Sequence, residues 1–184
     1  MPAFDRAAYT AMLDHMQQVA PAGRSSLAGR VEGVGLLAGP HIRDEVPADP
    51  PARWKALHRI TVDTWLPLAN VADFPRLRYQ ADDGELIAAW NALELRGRRP
   101  WVVCHSHVTD SAVPSVHDLR MAADRTLRHL VVSLAGPAPV AWLWDLDPFA
   151  SESSRRMRRV RFQVADLGFH TVGTSDLTRD VSGA

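Results

Sequence analysis

Trp101-Val102-Val103-Cys104-His105-Ser106-His107, then Val108 to Pro114, then Ser115-Val116-His117-Asp118, is the stretch on which the fold and the chemistry of this chain turn. Trp101 to Val103 reads as an apolar buried strand leading into His105, and Pro114 marks the start of a helix from Ser115 to about Arg125. Residues two apart on a strand project from one face, so His105 and His107 can converge on one metal while Ser106 points the other way. Asp118, on the first turn of the helix, offers a third ligand. Two histidines and a carboxylate leave a coordination position for water, the arrangement of a catalytic rather than a structural zinc. The same three residues also form the facial triad of non-haem iron oxygenases, and the residues alone do not separate the two. Strand alternation turns Cys104 away from the imidazoles, which makes it a core thiol rather than a nucleophile. His117 points about 100° away from Asp118 on the helix and reads as a surface or substrate-side residue.

Working outward from this stretch, helices and strands mix without a strict βαβ rhythm. Tyr9, Met12, Leu13, Met16 and Val19 recur at helical spacing after Asp5, a capping residue, and the pattern stops at Pro21 and Gly23. Ala22 to Arg30 is a small, polar loop, and Val31 to Gly39 reads as a short buried strand. A proline-rich and acidic surface loop follows from His41 to Ala52. Trp54 to Leu68 is β-rich, Arg76 to Gln80 reads as a further strand, and Asp82 to Arg96 as a helix closed by Gly97. Strands at 129–134 and 140–146 are separated by a Gly136-Pro137 turn, and Arg158 to Val164 alternates basic with apolar residues as one more strand. Trp101, Trp142 and Trp144 are spaced as packing residues. The order predicts a single α/β domain over residues 4–165, a sandwich whose mixed β-sheet is flanked by helices, with a C-terminal tail over 166–184.

Composition narrows the function. A chain of 184 residues suits one core. Zero net charge argues against a general nucleic-acid binder, which normally carries a cationic excess. Cys104 is the one cysteine, so neither an internal disulfide nor a cysteine-cluster metal site can form, and any metal must be held by His and carboxylates. The N-terminus does not read as a secretory signal, and no run reaches the roughly 20 apolar residues of a membrane helix. The expectation is a cytoplasmic protein that engages no membrane.

Glu32, in Glu32-Gly33-Val34-Gly35-Leu36-Leu37-Ala38-Gly39, would by itself be a charge at a strand end, and Ser115 with Asp118 would by themselves be a capping box. Taken together, His-x-His, seven residues, Ser, two residues, Asp, preceded by a distant Glu before Gly-Leu-Leu-x-Gly, resemble the JAMM (MPN-plus) metalloprotease family. The likeness to its bacterial and archaeal single-domain members runs from the first helix and Pro21 through Leu66-Pro67-Leu68-Ala69-Asn70 to about Val164. It departs from the family at Val108, where proline is usual, and in Ala22 to Arg30, an insertion.

The resemblance implies an MPN fold, similar to that of cytidine deaminases. It implies zinc (Zn2+) on His105, His107 and Asp118, Glu32 as general acid/base, Ser115 as oxyanion donor, and no organic cofactor. Such members trim the C-terminus of small ubiquitin-like (ThiS/MoaD-type) sulfur-carrier proteins, removing an extension or releasing cysteine from a carrier adduct. The competing readings are a deubiquitinase-like isopeptidase acting on lysine-linked modifiers and a catalytically silent scaffold. The oligomeric state, a homo-oligomer included, is left open. Arg155, Arg156, Arg158, Arg159 and Arg161 form the densest charge cluster. They read either as a solvated strand face or as a surface that guides an acidic carrier.

Overall fold

The structure, a computed structural model, describes residues 1–19, 30–41, 60–122, 127–146 and 156–165. The predicted loops at 22–29 and 42–52, the start of the β-rich stretch at 54–59, Arg155 and the tail over 166–184 lie outside the described residues. Nine strands and three helices are described: β1 Ala3–Phe4, α1 Arg6–Val19, β2 Val34–Pro40, β3 Thr61–Val62, β4 Thr64–Leu68, α2 Asp83–Glu94, β5 Arg98–His107, α3 Val116–Met121, β6 Arg128–Ser133, β7 Val140–Leu146, β8 Met157–Val160 and β9 Gln163–Val164.

Each helix begins where a polar side chain satisfies first-turn amides. Asp5 Oδ1 accepts from the N–H groups of Ala7 and Ala8, at 2.8 and 3.1 Å, and Asp82 Oδ1 accepts from Glu85 N–H at 2.9 Å. Gly97, at φ 65°, supplies the left-handed turn between α2 and β5 that a side chain would disfavour.

A six-stranded sheet runs in the order β4-β2-β5-β6-β7-β8, with β5 and β6 parallel and the other pairs antiparallel. A small parallel sheet, β3-β1-β9, stands beside it. The mixed-sheet sandwich expected from the sequence is the architecture found. On one face, Leu37, Cys104, Leu130, Val132 and Leu143 pack against Phe4, Tyr9, Met12 and Met16. On the other, Val131, Trp144 and Leu146 pack with Leu119 of α3, and Val34 and Leu36 pack with Tyr79 and Leu86. The sheet is therefore covered on both sides, which fits the near-continuous apolar runs of β2 and β6.

The β2–β5 register skips Trp101: Leu37 stands opposite Val102 and Ala38 opposite Pro100. This bulge lets Trp101 and Val102 join the same cluster and resets the alternation that carries His105 and His107 to the opposite face. Two predicted elements differ. Arg76 to Gln80 is a turn and irregular chain rather than a strand, followed by an isolated antiparallel bridge between Asn70 and Ala81. The stretch 158–164 breaks at Arg161 and Phe162, so β8 joins the large sheet and β9 the small one. Local alternation cannot distinguish one strand from two that serve different sheets. No helix among the described residues is long and apolar enough to cross a membrane.

Candidate metal centre

His105 and His107 close β5, and both are buried. Their Nε2 atoms lie 3.2 Å apart. Asp118 reaches them from the first turn of α3, with Oδ1 at 3.5 Å from His105 Nε2 and Oδ2 at 3.3 Å from His107 Nε2. One ligand atom from each residue falls within 4.8 Å of the others, so the three side chains predicted to meet do meet.

The two rings are oriented by different means. His107 Nδ1 lies 2.7 Å from the Ser111 carbonyl, which can only accept, so this nitrogen carries the proton and Nε2 presents its lone pair. Among the described residues His105 Nδ1 finds no hydrogen-bond partner, and its ring is held instead by Tyr79, stacked at 4.1 Å and 22°.

Charge follows from this packing. Burial pushes His105 down and so favours its neutral form, with Asp118 offsetting only part of the effect. For His107 burial also opposes charge, but the hydrogen bond to Asp118 and its negative charge outweigh it and push the group up. Burial works against ionisation of Asp118 as well, yet the bonds from both imidazoles, their charge and the Ser115 amide hold its carboxyl well below the usual range. An anionic carboxylate therefore faces two ring nitrogens, close enough to hydrogen-bond to them or to share a cation with them. Imidazole and carboxylate donors of this number suit zinc, and the set fits such an ion.

Ser115 is the N-cap of α3 in a complete capping box. Its Oγ accepts from Asp118 N–H at 3.2 Å, and its own N–H donates to Asp118 Oδ2 at 2.6 Å. Capping thus aims the Asp118 carboxylate, and the Ser115 hydroxyl keeps its proton for another acceptor. Glu32, 5% exposed, stands just before β2. Burial, together with the charges of Asp118 and Asp110 and partly offset by His107, pushes its carboxyl up to about 7. A carboxyl balanced there can hold or release a proton near neutral pH.

A cavity of about 460 Å³ is lined by Arg30, Phe74, Pro75, Leu77 and, directly after His107 in the chain, Val108 among others. Glu32 N–H donates to the carbonyl of Pro75 on its wall. The departure at Val108 therefore falls on this wall. Cys104 is fully buried in the opposite cluster, as alternation predicts, and His117 does not belong to the ligand group.

Tyr79 and Asn70 were invisible as site residues in the sequence. Tyr79 lay in a presumed strand, and Asn70 had no assigned role. Asn70 Nδ2 donates to the carbonyls of Glu32 and Arg78 at 2.9 and 3.1 Å, and its Oδ1 accepts from Ala72 and Gln80, which ties the 70–80 loop to the site.

Residues 11–147 match the family described as prokaryotic homologs of the JAB domain. The chain is 30% identical over 106 residues to a CysO-cysteine peptidase of Mycobacterium tuberculosis, spanning 58% of this chain and 61% of that relative's length. It is 32% identical over 108 residues to a probable TtuB-protein conjugate cleaving protease of Thermus thermophilus, spanning 54% of this chain and 72% of the relative. A solution structure from Desulfitobacterium hafniense superposes with a TM-score of 0.65 at 24% identity, over 89% of this chain and 92% of that one, a likeness of fold.

Proposed function

This chain belongs to the family of prokaryotic JAB-domain proteins, and on that premise we propose that it is a zinc-dependent peptidase. Its substrate is an amide bond at the C-terminus of a small ubiquitin-like sulfur-carrier protein, where it removes an extension or releases cysteine from a carrier adduct. The observation that carries this reading is the convergence of His105, His107 and Asp118 beside a buried Glu32 carboxyl pushed up to about 7.

His105 Nε2, His107 Nε2 and the Asp118 carboxylate would hold the metal. When bound there, zinc supplies a Lewis acid that polarises a carbonyl and makes water nucleophilic near neutral pH. The residues of the chain divide the remaining work. Glu32 takes a proton from the attacking water on its carboxylate and passes it to the nitrogen of the leaving amine. The Ser115 hydroxyl donates to the developing oxyanion, and loss of such a donor typically costs about 10²–10³ in turnover. Ser111 holds His107 in the tautomer that presents Nε2, and the capping box holds Asp118.

The conjugate substrate is supported by the names of the two relatives, a CysO-cysteine peptidase and a TtuB-protein conjugate cleaving protease. The second name favours an isopeptidase reading as well, the same chemistry with lysine as the leaving amine.

The test combines metal analysis with hydrolysis. Purified protein should hold about one zinc per chain, and His107→Ala or Asp118→Ala should lose it, since two remaining ligands make an incomplete site. Glu32→Gln should retain zinc and lose turnover of a Gly-Gly-ending carrier bearing a C-terminal cysteine. Stoichiometric iron with oxygen-dependent activity would support the oxygenase reading instead. Turnover by Glu32→Gln equal to the unmodified chain would sink the proton-transfer role.

A further inference from the structure

The main chain at Glu32 is gripped from several directions. Glu32 N–H donates to the Pro75 carbonyl at 2.6 Å, and the Glu32 carbonyl accepts from Asn70 Nδ2 at 2.9 Å. One residue on, Gly33 and Ser106 stand as the next pair beyond Val34 and His105 in the β2–β5 register. In a regular antiparallel ladder, such a pair exchanges N–H···O=C bonds in both directions. Here only one of the two is backbone to backbone: Ser106 N–H donates to the Gly33 carbonyl at 2.9 Å. The Gly33 N–H donates instead to Ser106 Oγ, at 2.8 Å. The hydroxyl replaces the strand carbonyl, and β2 leaves the ladder here.

Gly33 cannot yield toward α1. A Cβ at this position would collide with Met16 Sδ and come within 3.0 Å of Val19 Cγ2, so the glycine is already pressed against the helix. Ser106 is itself fully buried, between the two histidines on β5 but with its side chain turned from their rings.

We infer that Ser106 is a positioning residue for Glu32: its hydroxyl fixes the Gly33 amide and thereby sets the point from which the Glu32 side chain enters the site. The inference rests on the reading of Glu32 as the proton carrier. Without the hydroxyl, the Gly33 N–H is buried and lacks its acceptor, and the chain must turn to satisfy it. A misplacement of about 1 Å at a reacting group can cost on the order of 10²-fold in rate.

The test compares Ser106→Ala, Ser106→Cys and Ser106→Thr in the full chain. Threonine keeps a hydroxyl in a side chain suited to a strand, whereas cysteine keeps the size but accepts hydrogen bonds weakly. Four quantities are read: metal per chain, kcat and KM on a ubiquitin-like carrier bearing a C-terminal cysteine, and NMR exchange of the Gly33 amide.

The alanine and cysteine variants should keep their metal, lose about 10- to 100-fold in kcat with KM changed less than about twofold, and exchange Gly33 faster. Threonine should restore all of these. In a Glu32→Gln background, Ser106→Ala should cost nothing further, because the hydroxyl acts only through Glu32. Loss of metal in Ser106→Ala, an unchanged kcat, or no rescue by threonine overturns the inference. If the alanine variant does not fold, the cysteine variant decides. Full turnover by Glu32→Gln alone would instead overturn the proposed function, and Gly33 exchange would still report whether the clamp exists.

Discussion

The large sheet buries charge on both of its faces, and the two burials are built differently. On one face Arg128, 1% exposed, and Asp145, 6% exposed, meet through Nε and Oδ1 at 2.6 Å on the paired strands β6 and β7. Opposite charges cancel there within the chain. On the other face Asp118 meets two ring nitrogens that stand 3.2 Å from each other. That set joins one carboxylate to two imidazoles, the donor types that hold a metal. Matched charges indicate a structural pair, whereas a surplus of converging lone pairs marks a place completed by something from outside.

The largest effect that tests this contrast comes from removing one acid from each face. Asp145→Ala leaves a guanidinium buried without its carboxylate and should destabilise the chain by about 3–5 kcal/mol, with zinc and without it. Metal content per folded chain should stay the same. Asp118→Ala should cost metal-free protein its share of the capping box, about 1 kcal/mol, together with its bonds to the two imidazoles. It should abolish the added stability that zinc gives the unmodified chain, because a ligand that binds only the folded state stabilises it. Urea unfolding with and without zinc separates the two. If zinc stabilised Asp118→Ala as much as the unmodified chain, the contrast between the faces would fall.

A somewhat smaller effect concerns pH and the metal-free protein. The Glu32 carboxyl goes from an ordinary value of 4.5 to about 7 on folding, so between these values the folded chain holds a proton that the unfolded chain has released. Stability contributed by this group is full below pH 4.5 and is lost as pH rises through 7, the reverse of acid denaturation. The loss across that window should be about 3 kcal/mol. Glu32→Gln cannot titrate, so metal-free Glu32→Gln should gain on the unmodified chain as pH rises. Parallel stability curves for the two proteins would show that burial does not hold the Glu32 proton.

How much of this was readable from the sequence depends on the range of the forces involved. His105, His107, Ser115 and Asp118 are joined by one strand, one loop and one helical turn, so local periodicity brought them together before any tertiary contact was known. Glu32 was found by its motif, although its raised carboxyl depends on burial and on Asp110, Asp118 and His107, which local pattern does not reveal. Tyr79 stacks on His105 from a loop whose alternation resembles a strand. Asn70 acts through backbone carbonyls that any sequence would supply. Asp145 lay inside a segment read only as a strand and Arg128 one residue before another, because a buried ion pair is recognisable only once the register sets its partners side by side.

The smallest effect lies at the outer edge of the same sheet, where charge is exposed and neither face's logic applies. Arg161 is exposed just after β8, while Arg159 is half-buried with its guanidinium 4.0 Å from the centre of the Trp142 ring. Reversing Arg159 would therefore disturb packing, and Arg161→Glu is the cleaner probe of whether these arginines guide an acidic carrier. β8 is three strands from β5, about 14 Å at a usual strand spacing of about 4.8 Å. This exceeds the Debye length of about 8 Å at physiological ionic strength. Any steering should thus be weak and should depend on salt. Arg161→Glu should raise KM for an intact carrier about twofold at low salt and hardly at all at physiological salt, with hydrolysis of a short tail peptide unchanged at both. Equal loss on carrier and peptide would mean that the substitution damages the site. No change at low salt would leave Arg161 an ordinary solvated charge. A large loss that persists in salt would make this edge a direct contact surface, and the division between buried charge that does chemistry and exposed charge that only attracts would have to be redrawn.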